Sequence, residues 1–168
     1  MKFGIKFHYI NMHDANHVND YINNNTKLIW LETPTNPLMN ITDIEAVAAL
    51  AKPHKILVCV DNTFASPYLQ NPLDLGADMV MHSATKYLGG HSDVIHGCLM
   101  LNDQELRDKL YFIQKSCGGS AWPAGLFSCT QRYKNFACTH AATLREWRKN
   151  SLFSSQSSKG GESVLVWV

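Results

Sequence analysis

Three short, largely apolar runs, each closing on a polar residue, constrain this chain more than any other feature. They are Lys27 to Leu31 followed by Glu32, Ile56 to Val60 followed by Asp61, and Met79 to His82 followed by Ser83. Runs of this length bounded by turn signals read as buried strands. Helix signals fall between and after them. Thr42 or Asp43 caps a helix through Ala51, with Ile44, Val47, Ala48 and Ala51 on one face, and Pro53 ends it. Gly76 turns the chain into the third run, and a fourth, Val94 to Leu101, follows it. Asp103 opens a helix to about Cys117, with Leu106, Leu110 and Ile113 at helical spacing. Upstream, Ile5 to Ile10 reads as a strand, and Asp14 caps a short helix to about Ile22. The segment Thr33-Pro34-Thr35-Asn36-Pro37 is a loop, because two prolines forbid regular pairing. Strands alternating with helices predict an α/β fold with a mostly parallel sheet and flanking helices. In such sheets ligands bind beyond the carboxyl ends of the strands. Topology alone therefore brings Glu32, Asp61 and Ser83 to one edge.

Composition narrows the class of function. The chain has 168 residues, 45% hydrophobic and 17% charged, which is globular rather than disordered. A formal net charge of +1 gives no case for nucleic acid or an acidic membrane as partner. No apolar run approaches the roughly 18 residues of a membrane span, and the start MKFGIKFHYI has no signal-peptide core. The cytoplasm is the expected compartment. Cys59, inside an apolar strand, reads as core. His13 and His17 stand four apart, but two histidines without further ligands make no zinc site, so no metal is expected.

The stretch Met79 to Asp93, MVMHSATKYLGGHSD, has chemistry of its own. It delivers two hydroxyls, Ser83 and Thr85, and Lys86 into a glycine turn. Hydroxyls and turn amides can hold a phosphate, and a lysine can form an imine with a carbonyl cofactor. Asp61 ends a fully apolar strand, which holds a carboxylate at a dry rim. An acid for a ring nitrogen and an amine for an aldehyde together fit pyridoxal 5'-phosphate (PLP). Each residue also has a plainer reading: Lys86 as a surface lysine, Asp61 as a cap, Ser83 and Thr85 as turn hydroxyls. Asn36, between two prolines, is either a turn residue or a partner for the cofactor's phenolic oxygen. His82, His91 and His96 read as packing residues or as supports for the site.

Three long motifs carry a resemblance: WLETPTNP (Trp30 to Pro37), VDNTFASPYLQNPLDLGAD (Val60 to Asp78) and HSATKYLGGHSDVIHG (His82 to Gly97). With these in order, residues from Met1 to about Gly118 resemble the Cys/Met-metabolism family of PLP enzymes. That family includes cystathionine γ-synthase, the γ- and β-lyases and O-acylhomoserine sulfhydrylase. The resemblance implies the PLP-binding large domain of the aspartate-aminotransferase type (type I), of which this chain is a part. It implies Lys86 as the Schiff-base lysine and catalytic base, and Asp61 as the partner of the pyridinium nitrogen. Ser83 and Thr85 become phosphate ligands, Asn36 and Thr63 line the cofactor, and Glu32 becomes a pocket-wall acid. The implied chemistry is γ-elimination or γ-replacement on an amino-acid substrate, cystathionine or an O-acylhomoserine, in a homo-oligomeric full-length enzyme. Several family parts have no counterpart here: the glycine-rich phosphate loop, the ring-stacking tyrosine, the Tyr/Arg pair from a neighbouring subunit and the small domain. The chain alone is therefore expected to be an inactive fragment. A function of another class, a dead remnant or interaction module keeping the α/β sheet, is separated from this one by cofactor uptake.

Beyond Gly118 the family pattern stops. Residues 1–118 carry 9 basic and 12 acidic residues, and residues 119–168 carry 6 and 2. Permitted codons for residues 119–168, read one nucleotide out of phase, can spell a string containing GPQDCFLVLRGIKTL, which resembles the family's own continuation. The expectation is two parts: 1–118 from the PLP-binding domain, and 119–168 as a frameshifted, non-native tail.

Overall fold

The computed structural model describes residues 4–132 and, in backbone only, Val164–Trp167. Five strands form one sheet in the order β1-β2-β3-β4-β5. They are β1 (Leu28–Glu32), β2 (Leu57–Asp61), β3 (Met79–Ser83), β4 (Gly97–Leu101) and β5 (Val164–Trp167). β1, β2 and β3 are parallel neighbours, β4 is antiparallel to β3, and β5 is antiparallel to β4. Four strands thus share one direction and β4 alone opposes them, in keeping with an α/β fold and a mostly parallel sheet.

Register decides which residues share a face. Leu28, Trp30 and Glu32 stand opposite Leu57, Cys59 and Asp61, which stand beside Met79 and Met81. The other face carries Ile29, Leu31, Val58 and Val60, all buried under helix α1 (Ile44–Ala51). Val47, Val58 and Val60 are almost fully enclosed there. Each contributes roughly 1.5–3 kcal/mol by leaving water. On the first face, helix α3 (Gln104–Cys117) sets Leu106 and Leu110 against Cys59, Met79 and Leu101. The caps read from the sequence form. Asp43 accepts from the Ala46 amide at 2.9 Å, and Asp103 accepts from the Leu106 amide at 2.6 Å. Gly118, at φ 70°, ends α3 in the left-handed conformation. No helix among the described residues is long and apolar enough to cross a membrane.

Three expectations change. Ile5 to Ile10 is not a strand: those residues join no sheet, and Phe7 and Tyr9 are 65% and 94% exposed. Of that stretch Ile10 packs on the core, as does Met12 just beyond it. Period-two alternation favours an extended chain, but a strand also needs an edge to pair with. The short helix capped by Asp14 does form, over Ala15–Tyr21, and differs only in being a 3-10 rather than an α-helix. The fourth strand starts at Gly97 rather than Val94. There a single backbone bond, from the Thr85 amide to the His96 carbonyl at 3.2 Å, is completed by the Thr85 hydroxyl, which accepts from the His96 amide at 3.1 Å. Ile113, read onto the buried stripe of α3, is 55% exposed.

Candidate functional site

The carboxyl ends of β1, β2 and β3 lie side by side. Glu32 pairs with Asp61 in the last rung between β1 and β2, and Asp61 pairs with Met81 on β3. Beyond that rung each strand runs into a loop that bears a candidate residue. Asn36 sits on an exposed turn after β1, Thr63 follows β2, and Ser83, Thr85 and Lys86 lead from the end of β3 into a turn.

A short chain of hydrogen bonds joins three of them. The Asp61 Oδ1 accepts from the Thr63 amide at 3.0 Å. The Thr63 hydroxyl in turn accepts from the Ser83 amide at 2.7 Å. Asp61 and Ser83 are thereby held at fixed spacing through Thr63. The Ser83 hydroxyl and the Lys86 amine make no hydrogen bond to any described residue, and Lys86 is exposed. Thr85 is engaged differently: its hydroxyl bonds both the amide and the carbonyl of His96. The hydrogen bonds connect Asp61, Thr63 and Ser83 but leave Asn36, on its turn after β1, apart from them.

The turn after Lys86 depends on glycine. Gly90, at φ 71°, donates its amide to the Lys86 carbonyl at 2.8 Å. A Cβ on Gly89 would stand 2.5 Å from the Ala84 carbonyl oxygen, so only glycine lets the turn close on the strand end.

The electrostatics beneath this edge come from burial. His82 is 2% exposed, and burial pushes its imidazole down to about 4, with the Asp61 carboxylate pulling the other way. Cys59, on the same strand as Asp61, is pushed up to about 12, first by burial and then by that carboxylate. Its thiol is therefore inert packing.

The sequence model of the Cys/Met metabolism PLP-dependent enzyme family matches residues 1–137. This chain belongs to that family. The match crosses Gly118, and the helical residues 123–132 sit against the loop before β4, where Arg132 holds Asp93 with two bonds of 2.6 and 2.8 Å. Among curated relatives, a probable cystathionine gamma-synthase of Herpetosiphon aurantiacus is 46% identical over 153 residues, 91% of this chain and 47% of that protein. A cystathionine gamma-lyase of Bacillus subtilis (strain 168) is 49% identical over 152 residues, 90% of this chain and 40% of that protein. Among solved structures, cystathionine gamma-lyase from Lactobacillus plantarum complexed with L-serine superposes with a TM-score of 0.79 at 43% identity. That alignment covers 88% of this chain and 40% of the other. The chain spans less than half the length of the relatives it matches.

Two residues that drew no attention as site residues lie next to this edge in the fold. Asn62 is fully buried, and Gln70 returns from the short helix α2 (Ser66–Leu69) to meet it. The signal available in the sequence was weak: both are polar residues inside the otherwise unassigned part of the VDNTFASPYLQNP motif.

Proposed function

We propose that this chain is the cofactor-holding core of a PLP-dependent enzyme of sulfur amino-acid metabolism. The reaction is elimination or replacement of the γ-substituent of cystathionine or an O-acylhomoserine. One observation carries the reading: the hydrogen-bonded sequence Asp61–Thr63–Ser83 on the carboxyl edge, with the Lys86 turn following directly from it. The donor chemistry of that edge fits the cofactor. Asp61 offers a carboxylate to a cationic ring nitrogen, Lys86 an uncommitted amine to an aldehyde, and Ser83 an uncommitted hydroxyl to a phosphate. Thr85 holds the turn through His96 and keeps one lone pair for the same phosphate, Thr63 spaces Asp61 from Ser83, and Asn36 lines the cofactor from the β1 side.

When bound, PLP supplies an aldehyde and an electron-accepting ring. The chain's own contributions are simpler. Asp61 keeps a positive charge on the ring nitrogen by pairing with it. Lys86 Nζ accepts the proton from the substrate α-carbon and returns it at a later step. Glu32, next to Asp61 in the register, closes the wall of the pocket. The whole protein acts on a small amino acid and works as a homo-oligomer. The test is to assay the full-length protein with cystathionine, O-succinylhomoserine and O-acetylhomoserine. Turnover of one of the three, abolished by Lys86→Ala, is the expected result. No turnover of any, by a protein that has taken up cofactor, refutes the assignment.

A further inference from the structure

We propose that Gln70 is a positioning residue that sets the spacing between the turn bearing Asn36 and the strand end bearing Asp61. Beyond the rung that joins Glu32 to Asp61, the β1 and β2 chains have no backbone ladder between them. The Gln70 side chain supplies the missing link. Its Nε2 donates to the Thr33 carbonyl at 3.0 Å and to the Asn62 Oδ1 at 2.9 Å. The Asn62 Nδ2 donates back to the Gln70 carbonyl at 2.8 Å. Thr33 directly follows Glu32, and Asn62 directly follows Asp61, so one amide group bridges the first residue past each strand end.

The bridge lies in a dry place. Thr33 is 1% exposed and Asn62 is fully buried, so neither acceptor finds water once the amide is removed. Both N–H groups of the Gln70 amide are used, which fixes its orientation. The link also extends on each side. The Thr33 hydroxyl accepts from the Thr42 amide at 3.0 Å, which closes the loop that carries Asn36. The Asn62 amide donates to the Met81 carbonyl at 2.9 Å, tying the same point to β3. A shift of Gln70 therefore moves the β1 loop relative to Asp61 and β3 beyond the last rung of the ladder, while the paired residues Val58 and Val60 keep their backbone partners in β1.

The role in cofactor binding rests on the proposed function, and the test separates the two claims. Gln70→Met keeps the length of the side chain and removes both donors; Gln70→Ala is made beside it. Native-state amide exchange is measured on the whole chain without cofactor. The amides of Met39, Asn40 and Thr42 are expected to exchange about tenfold faster or more, with those of Val58 and Val60 changed less than about twofold. Equal acceleration at both places, or none at the loop, overturns the positioning role. Loss of folding in both variants overturns it too, because Gln70 would then hold the domain together rather than space two loops. In a second arm, PLP is titrated into the full-length protein by its visible absorbance, and Gln70→Met is expected to weaken uptake about tenfold. Failure of the unsubstituted full-length protein to take up PLP sinks the cofactor reading, while the exchange data still decide the role of Gln70.

Discussion

Acid titration of His82 probes the edge of the site through the core that supports it. The imidazole is 2% exposed, and burial holds its folded value at about 4 against 6.5 when unfolded. The sign follows from proton counts. Near neutral pH the ring is uncharged in both states. As pH falls below about 6.5 the unfolded chain takes up a proton that the folded chain refuses, so stability falls with pH. The loss continues to about pH 4, below which both states bind the proton and the difference stays constant. Over the whole window it amounts to about 3 kcal/mol, at about 1.4 kcal/mol per unit. Between about pH 7.5 and pH 5, where few carboxylates titrate, it is about 2 kcal/mol. Urea unfolding of the chain and of His82→Gln measures it. The side-chain amide of that variant cannot titrate, so the difference between the two curves isolates the imidazole. The difference is expected to change by about 2 kcal/mol across that interval, a midpoint shift of about 1 M urea. Parallel curves would refute the account of a neutral, desolvated His82 beneath Asp61.

Other consequences are more local. Gly89→Ala puts a Cβ 2.5 Å from the Ala84 carbonyl oxygen and 3.2 Å from Val94 Cγ2. It is expected to cost about 1–3 kcal/mol in thermal unfolding, and an unchanged midpoint contradicts the tight turn behind Lys86. Asp43→Ala removes the bond to the Ala46 amide at the start of α1. A loss of about 0.5–2 kcal/mol is expected by urea unfolding, and Asp43→Asn is expected to retain most of the stability. The proposal that residues 119–168 are read out of phase is settled by sequencing the encoding DNA. An extra base in a G run near Gly118-Gly119 supports it, and one continuous frame with incompatible codons ends it.

Much of the frame was legible because short apolar runs and caps are local signals. β1, β2, β3, α1 and α3 lie within a residue or two of their expected bounds, and Asp43 and Asp103 cap as read. The failures are non-local. Ile5 to Ile10 has strand-like alternation, but whether an edge is available to pair with it is decided by the rest of the fold. Ile113 has helical spacing, yet α3 leaves its end uncovered among the described residues. Glu32, Asp61 and Ser83 were legible as candidates because strand ends in a parallel sheet converge, and Lys86 because it follows two hydroxyls into a glycine turn. The task of Thr63, donating its amide to Asp61 and accepting from Ser83, was not, since it links residues 20 apart. Gln70 is harder still, because its partner Thr33 lies 37 residues away and the contact runs through a backbone carbonyl.

The central claim is that Lys86, in the turn that follows β3, is the amine that holds PLP. Reductive trapping tests it most directly. The full-length protein is incubated with a stoichiometric amount of PLP, reduced with borohydride, digested and mapped by mass spectrometry. The adduct is expected predominantly on the peptide containing Lys86, absent in Lys86→Ala and diminished in Asp61→Ala. An adduct spread evenly over the surface lysines, or one that persists unchanged in Lys86→Ala, would contradict the account.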